Sequence, residues 1–176
     1  MSVIPSTVDS VYELASALLL VAEDALATTI GGTPERSYVA PAEPPWDCCP
    51  FLAVFVPAIA EGTTAAGGGG LALGHRATAG AVNLIGFQIL AVRCAPEFSF
   101  EGLPTPAQIE SVARQVQQDG WALWNGLRHA IREDVFASLC SEVYLDLGSM
   151  VNEQGTCVGW RFSVRVALGG IPLEES

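Results

Sequence analysis

The residues of this chain best suited to nucleophilic or metal chemistry are its cysteines and histidines. They are Cys48, Cys49, Cys94, Cys140, Cys157, His75 and His129. A structural zinc site needs four ligands at a recognisable spacing, and the sequence contains no CxxC pair. We therefore expect no metal or cofactor, and we interpret the cysteines as reduced thiols in an intracellular setting.

Two alternative functions would use residues between positions 48 and 75. A small cysteine-dependent enzyme or metal-binding protein could use Cys48, Cys49 and His75, although adjacent cysteines are more often small buried apolar residues. The four glycines from Gly67 to Gly70 could suggest a phosphate-binding loop. No GK[ST] follows them, and such a loop requires it, so the sequence argues against that assignment.

Acidic residues occur as adjacent pairs, but in positions that do not favour catalysis. The pairs are Glu23 with Asp24, Glu133 with Asp134 and Glu174 with Glu175. Each is expected at a solvated helix end or in a tail, where no apolar pocket would perturb a carboxyl pKa. The sequence thus predicts a protein that is not an enzyme.

The composition suits a subunit of an assembly. Apolar residues make up 50% of the 176 residues and charged residues only 15%, which is little charge to cover a monomer. The net charge is −11, and all eight basic residues are arginine, which argues against nucleic-acid binding. Acidic residues interrupt the apolar N-terminal stretch, and that stretch has no basic start, so we expect neither a membrane span nor a signal peptide.

The sequence from Ala81 to Cys94 predicts a central strand. Ile85, Phe87, Ile89 and Ala91 alternate with a second apolar set, Val82, Leu84, Leu90, Val92 and Cys94. A strand that is apolar on both faces belongs in the middle of a covered sheet.

Two amphipathic helices are predicted beside this strand. The first, over residues 7–29, has an apolar stripe of Val8, Val11, Tyr12, Ala15, Leu18, Leu19, Ala22, Ala25 and Leu26. The second begins with a capping box, in which Thr105 precedes Pro106 and Gln108, and should continue to about Asp134. Its expected buried stripe is Ile109, Val112, Ala113, Val116, Gly120, Leu123, Leu127, Ala130 and Ile131. Gly120 is expected to mark a close approach to another backbone.

Four further strands are expected, at residues 35–42, 51–59, 141–150 and 158–168, with Pro57 at an edge or bulge and a turn at residues 152–155. The last strand should place Val158, Trp160, Phe162, Val164, Val166 and Leu168 on one face and Arg161, Ser163 and Arg165 on the other. We interpret residues 1–176 as a single α+β domain, with a mixed or mainly antiparallel sheet of about five strands and two long helices. A flexible glycine-rich loop is expected at residues 61–80, and a mobile C-terminal tail at residues 169–176.

Several exposed residues are candidates for contacts with other proteins. Trp121, Trp124, Arg161 and Arg165 are the expected subunit-contact residues, because tryptophan and arginine are enriched at interfaces. Within the loop at residues 61–80, the candidates for contact with an axial partner are Glu61, Gly67, Gly70, His75 and Arg76.

Four short elements, taken together and in order, resemble a known family. They are Pro45-Trp46-Asp47-Cys48-Cys49, Val92-Arg93-Cys94-Ala95-Pro96, Leu103-Pro104-Thr105-Pro106 and Gly159-Trp160-Arg161-Phe162-Ser163-Val164. The family consists of small proteins of long-tailed actinobacteriophages that are encoded among the head-to-tail connection genes and regarded as tail terminators. The resemblance spans about residues 6–170. This chain differs in its alanine- and glycine-rich loop and in having fewer cysteines near the second helix.

The resemblance implies a tail-terminator-like fold assembled as a hexameric ring in the virion, after synthesis in the host cytoplasm. Such a ring caps the head-proximal end of the tail tube, ends tube polymerisation and binds the head connector. DNA would pass through the lumen without specific binding, and an acidic wall would repel its phosphates. The implied partners are other copies of this chain, the tail tube protein and the head connector or stopper protein. A head-completion or stopper protein of the neck is an alternative in the same structural class.

Overall fold

A computed structural model describes residues 7–45, 50–63, 81–96, 102–153 and 157–168. Two helices and six strands follow one another as α1 (Thr7–Ala27), β1 (Arg36–Val39), β2 (Phe51–Thr63), β3 (Ala81–Cys94), α2 (Pro106–Arg132), β4 (Glu142–Leu145), β5 (Ser149–Glu153) and β6 (Cys157–Leu168). The predicted α+β class is confirmed. The sheet has six strands because the segment expected as one strand at residues 141–150 forms the separate strands β4 and β5.

The strands form one mixed sheet in the order β1-β2-β3-β6-β4, and β5 also pairs with β6. Only β1 runs parallel to its neighbour, β2, and the other pairings are antiparallel. Both β4 and β5 pair with the same side of β6, with β4 opposite its second half and β5 opposite its first. Strand β6 therefore joins the central strand β3 to β4 and β5.

Strand β3 has buried apolar side chains on both faces, as predicted, although Leu84 is only partly buried and Cys94 is exposed. Ile85, Phe87, Ile89 and Ala91 lie in the main core beneath the helices. Leu90 and Val92 belong to a second cluster on the opposite face, with Phe51 and Phe55 of β2. The alternation of side chains along a strand thus explains why the sheet has two apolar sides.

Helix α1 packs on the sheet through Leu14, Ala15, Leu18, Ala22 and Leu26, which are almost fully buried. The prediction was wrong for Tyr12, which is exposed at the flank of the stripe, and it omitted Leu14. The helix ends before Gly31 and Gly32, as expected, and Gly32 adopts a positive φ of 59°. Neither helix in the described part of the chain has a stretch long and apolar enough to cross a membrane.

Helix α2 begins with the predicted capping box. Gln108 N–H donates to Thr105 Oγ1, and Thr105 N–H donates to Gln108 Oε1 at 2.8 Å. The predicted buried stripe is correct for Val116, Gly120, Leu123, Leu127 and Ala130. It is wrong for Ile109 and Ala113, which are exposed, and Val112 and Ile131 are only partly buried. The first turns therefore extend beyond the packed core.

Strand β2 is longer than predicted and includes residues 61–63, which the sequence had assigned to the loop. Pro57 lies at a register shift between Phe55 and Ala58, as expected for a residue without a backbone N–H. Strand β1, which pairs with β2, is shorter than predicted. Asn152 and Glu153, expected in a turn, pair with Val158 and Cys157 of β6.

Strand β6 has the predicted alternation, with Phe162, Val164 and Val166 in the core beneath the helices. Gly120 of α2 faces this strand, but the close neighbour is a side chain. A Cβ at Gly120 would overlap the indole ring of Trp160, so the expected approach to another backbone is corrected to contact with an indole. Trp160 Nε1–H also donates to Val116 O at 2.8 Å.

Candidate functional site

A buried ion pair lies where the end of β3 meets both helices. Arg93 Nε–H donates to Asp119 Oδ2 at 2.7 Å, and the two side chains are 6% and 3% exposed. Thr29 Oγ1–H donates to Asp119 Oδ1 at 2.8 Å. Each charge is thereby compensated in a site with little access to water.

The same arginine holds the turn that follows α1. Arg93 Nη1–H donates to Gly31 O at 3.2 Å, and Nη2–H donates to Gly32 O at 2.6 Å. A planar guanidinium can serve several acceptors at once, which a lysine ammonium does less well. The arrangement fixes β3, α1 and α2 relative to one another. Its donors and acceptors are hydrogen-bonded to each other within the protein, so we interpret it as a structural feature.

Trp121, a predicted contact residue, lies on the outer side of the helix layer and is 69% exposed. Ile30, just after α1, is 65% exposed, and its N–H donates to Gln118 Oε1 at 3.2 Å. Gln118 and Trp121 are three residues apart on α2 and are therefore neighbours on its surface. We call the exposed surface of Ile30 and Trp121 the outer helix patch.

Trp124 and Arg165, also predicted contact residues, meet in a groove beside strand β4. The groove has a volume of about 380 Å³, and it is also lined by Arg128, Arg132 and Tyr144. Arg165 donates to both carboxylate oxygens of Asp146, at 3.0 and 2.7 Å, and this raises the pKa of Arg165. We call this surface the arginine groove.

Arg161 lies apart from the other predicted contact residues. Its guanidinium forms an ion pair with Glu43, which follows β1. The four candidates thus divide among three places: Trp121 in the outer helix patch, Trp124 and Arg165 in the arginine groove, and Arg161 beside Glu43.

The expected axial contacts fall largely outside the described residues. Gly67, Gly70, His75 and Arg76 all lie there, and Glu61 is described only as part of the backbone of β2. Cys48 and Cys49 are also outside. His129 is exposed on α2, Cys94 is exposed, Cys140 is half-buried and Cys157 is buried. In the described part of the chain, no three His, Cys, Asp or Glu side chains are grouped to hold a metal ion.

The sequence interpretation missed the structural roles of Arg93, Asp119 and Ile30. The sequence contained a signal for the first two. Arg93 continues the alternating apolar set of β3, and Asp119 lies within the apolar stripe of α2, so each is a charged residue at a position expected to be buried. Ile30 lies outside the regular helical spacing and gave no such signal. A scan against protein-family models and a search of curated proteins found no match.

Proposed function

We propose that this protein is a tail terminator, a structural subunit of a ring that closes the head-proximal end of a phage tail tube. The ring, with six copies as the expected number, would end tube polymerisation and join the tail to the head connector. It would reside in the virion, and DNA would pass through its lumen. The resemblance described above is the source of this specific assignment.

The outer helix patch is the observation that carries the proposal of a subunit in an assembly. Trp121 and Ile30 expose large apolar side chains, and the Ile30 N–H is bonded to Gln118, three residues before Trp121, although the core beneath is well filled. Exposing apolar area to water is unfavourable, and tryptophan is the residue type most enriched among residues that dominate binding energy. Contact with another subunit would remove this surface from water.

Charge gives a second line of support. With a net charge of −11 per subunit, a ring of several copies would be strongly acidic. An acidic lumen repels the phosphate backbone, which favours passage of DNA over retention. The buried pair of Arg93 and Asp119 leaves this balance unchanged, because its two charges cancel.

The proposal is tested with purified protein and with tail tube protein of the same phage. Native mass measurement should find a closed ring, and addition of the ring should shorten tubes that are polymerising. Trp121→Ser should weaken assembly on the order of 30-fold, as expected for loss of about 2 kcal/mol at a central contact. Trp121→Phe is the matched control and should retain most of the assembly.

Folding must be checked in parallel, because a misfolded variant would also fail to assemble. Trp121 is exposed, so both variants should unfold at nearly the wild-type temperature. A protein that stays monomeric at all concentrations and leaves tube length unchanged would contradict the proposal. A ring that binds the head connector but not the tube would instead identify the stopper alternative.

A further inference from the structure

The arginine groove has a charge opposite to that of the protein as a whole. Three of the eight arginines in the chain, Arg128, Arg132 and Arg165, line it. Among the described lining residues only Asp146 is acidic, and the Tyr144 hydroxyl donates to Glu142 at the margin. The groove is therefore a local basic site on a chain that carries 19 acidic residues.

Two of the three guanidinium groups are available for a ligand. Arg128 stacks over Trp124 with 5.6 Å between its Cζ and the ring centroid. No other described residue forms a hydrogen bond with its N–H groups. Within the described residues, neither Arg128 nor Arg132 forms an ion pair with a carboxylate. Arginine binds carboxylates through parallel N–H donors, so the chemistry of the groove favours a segment with carboxylates.

The groove also offers apolar contacts and a strand edge. Ile131, Val143 and Leu145 contribute apolar surface beside Trp124. Strand β4 is the last strand in the order of the described sheet, with β6 on one side and no described strand on the other. An extended segment can add to such an edge through backbone hydrogen bonds, with side-chain pockets setting specificity.

We propose that the arginine groove binds the acidic segment at residues 169–176 of a second copy of this chain. This segment continues from β6 and contains Glu174 and Glu175 next to Ile171 and Leu173. It therefore combines the two carboxylates and the apolar side chains that the groove can accommodate. Eight extended residues span up to about 26 Å.

The direction of β6 favours a second copy over the same chain. Arg165 is the residue of β6 that lines the groove, and the strand continues past it to Leu168, which pairs with Asn83 of β3. At Leu168, the last described residue of β6, the strand is thus directed away from Arg165, which favours a groove on another copy.

This contact would join the groove of one copy to a different surface of the next copy. Repeated contacts between two different surfaces form a closed ring when the rotation between successive subunits allows it. The inference deepens the proposed function, and rests on it for the claim that the copies form a ring. The proposal that the groove binds this segment does not depend on whether the ring is a tail terminator or a stopper.

Charge exchange in the full-length protein tests the contact. One variant carries Glu174→Arg with Glu175→Arg, and the other carries Arg128→Glu with Arg132→Glu. Each alone places like charges at every contact, so each should self-associate about ten-fold more weakly or worse. An equimolar mixture restores opposite charges at both kinds of contact and should recover the wild-type mass as an alternating assembly.

A peptide of residues 169–176 provides a readout that does not depend on ring formation. It should bind the wild-type protein in a calorimetric titration, and it should lose binding to the Arg128→Glu and Arg132→Glu variant. The control is the same peptide with glutamine at both glutamate positions.

The outcomes separate the two proposals. If both variants assemble like the wild type, or if the mixture shows no recovery, the groove contact is wrong while the ring proposal stands. If the wild type never assembles and does not act on tubes, the proposed function fails, and the peptide titration alone decides the groove. Absence of peptide binding in that case overturns the groove proposal as well.

Discussion

Arg93 on β3 and Asp119 on α2 face each other across the buried boundary between the sheet and a helix, with Nε of the arginine 2.7 Å from Oδ2 of the aspartate. Thr29 and the carbonyl oxygens of Gly31 and Gly32 complete their hydrogen bonds. A buried charge that loses its partner is costly, whereas replacing both charges with apolar groups is often tolerated. The pair should therefore behave as a unit on mutation.

Arg93→Met should lower the free energy of unfolding by about 3–5 kcal/mol, because Asp119 would remain buried without its counter-charge. The double variant Arg93→Met with Asp119→Leu should recover most of this loss. Urea denaturation of the single and double variants measures both effects. A single-variant loss below about 1 kcal/mol would place the pair with solvent-exposed ion pairs and contradict its assignment as buried.

Gly120→Ala should destabilise the protein by about 1–3 kcal/mol, because the added methyl group would overlap the indole of Trp160. Helix propensity alone would favour alanine by roughly 1 kcal/mol, so the sign of the change isolates the packing effect. Thermal unfolding is the measurement. Asn125→Ala, at an exposed position of the same helix, is the control and should leave the melting temperature almost unchanged or slightly raised.

Thr105→Ala should cost about 1 kcal/mol of stability by removing the side-chain acceptor for the Gln108 N–H. Thr105→Ser keeps the hydroxyl and should retain most of that stability. Because the first turns of α2 lie outside the packed core, amide hydrogen exchange should speed up there before the rest of the helix is affected. Uniform acceleration along the whole helix would contradict this separation.

The three described cysteines should react with an alkylating reagent in the order Cys94, Cys140, Cys157, following their exposure. Burial raises the pKa of the Cys140 thiol above its ordinary value. The thiolate is the reactive form, so the Cys140 rate should rise with pH and reach its midpoint above that ordinary value. Peptide mapping by mass spectrometry follows each site, and unfolding the protein should make the rates similar. A Cys140 midpoint at or below the ordinary value would refute the effect of burial.

The sequence predicted those parts of the fold that local patterns determine. The capping box at Thr105 and Gln108 set the start of α2, and the two apolar faces of β3 placed it inside the sheet. The capping box and the alternation along β3 each involve residues only a few positions apart. Local hydrogen bonding and the spacing of apolar residues determine such features. The break between β4 and β5 was missed because each strand is short and its limits depend on pairing with β6.

The limits of helix burial and the candidate contact sites needed the three-dimensional arrangement. Periodicity shows which side of α2 is apolar, but not where the sheet beneath it ends, so Ile109 was wrongly expected to be buried. Composition suggested that Trp124 and Arg165 lie on a contact surface, but their meeting in one groove depends on α2 crossing beside β4. The partnership of Arg93 with Asp119 spans 26 residues and likewise required the fold.

The position of β6 in the sheet has a consequence for biosynthesis. It is the final described strand in the chain, yet it pairs with β3, β4 and β5. While the polypeptide is still emerging from the ribosome, β3 lacks its neighbour on one side, and a strand edge left open in this way is prone to aggregation. The sheet should therefore be complete only after β6 has left the ribosome and paired with β3.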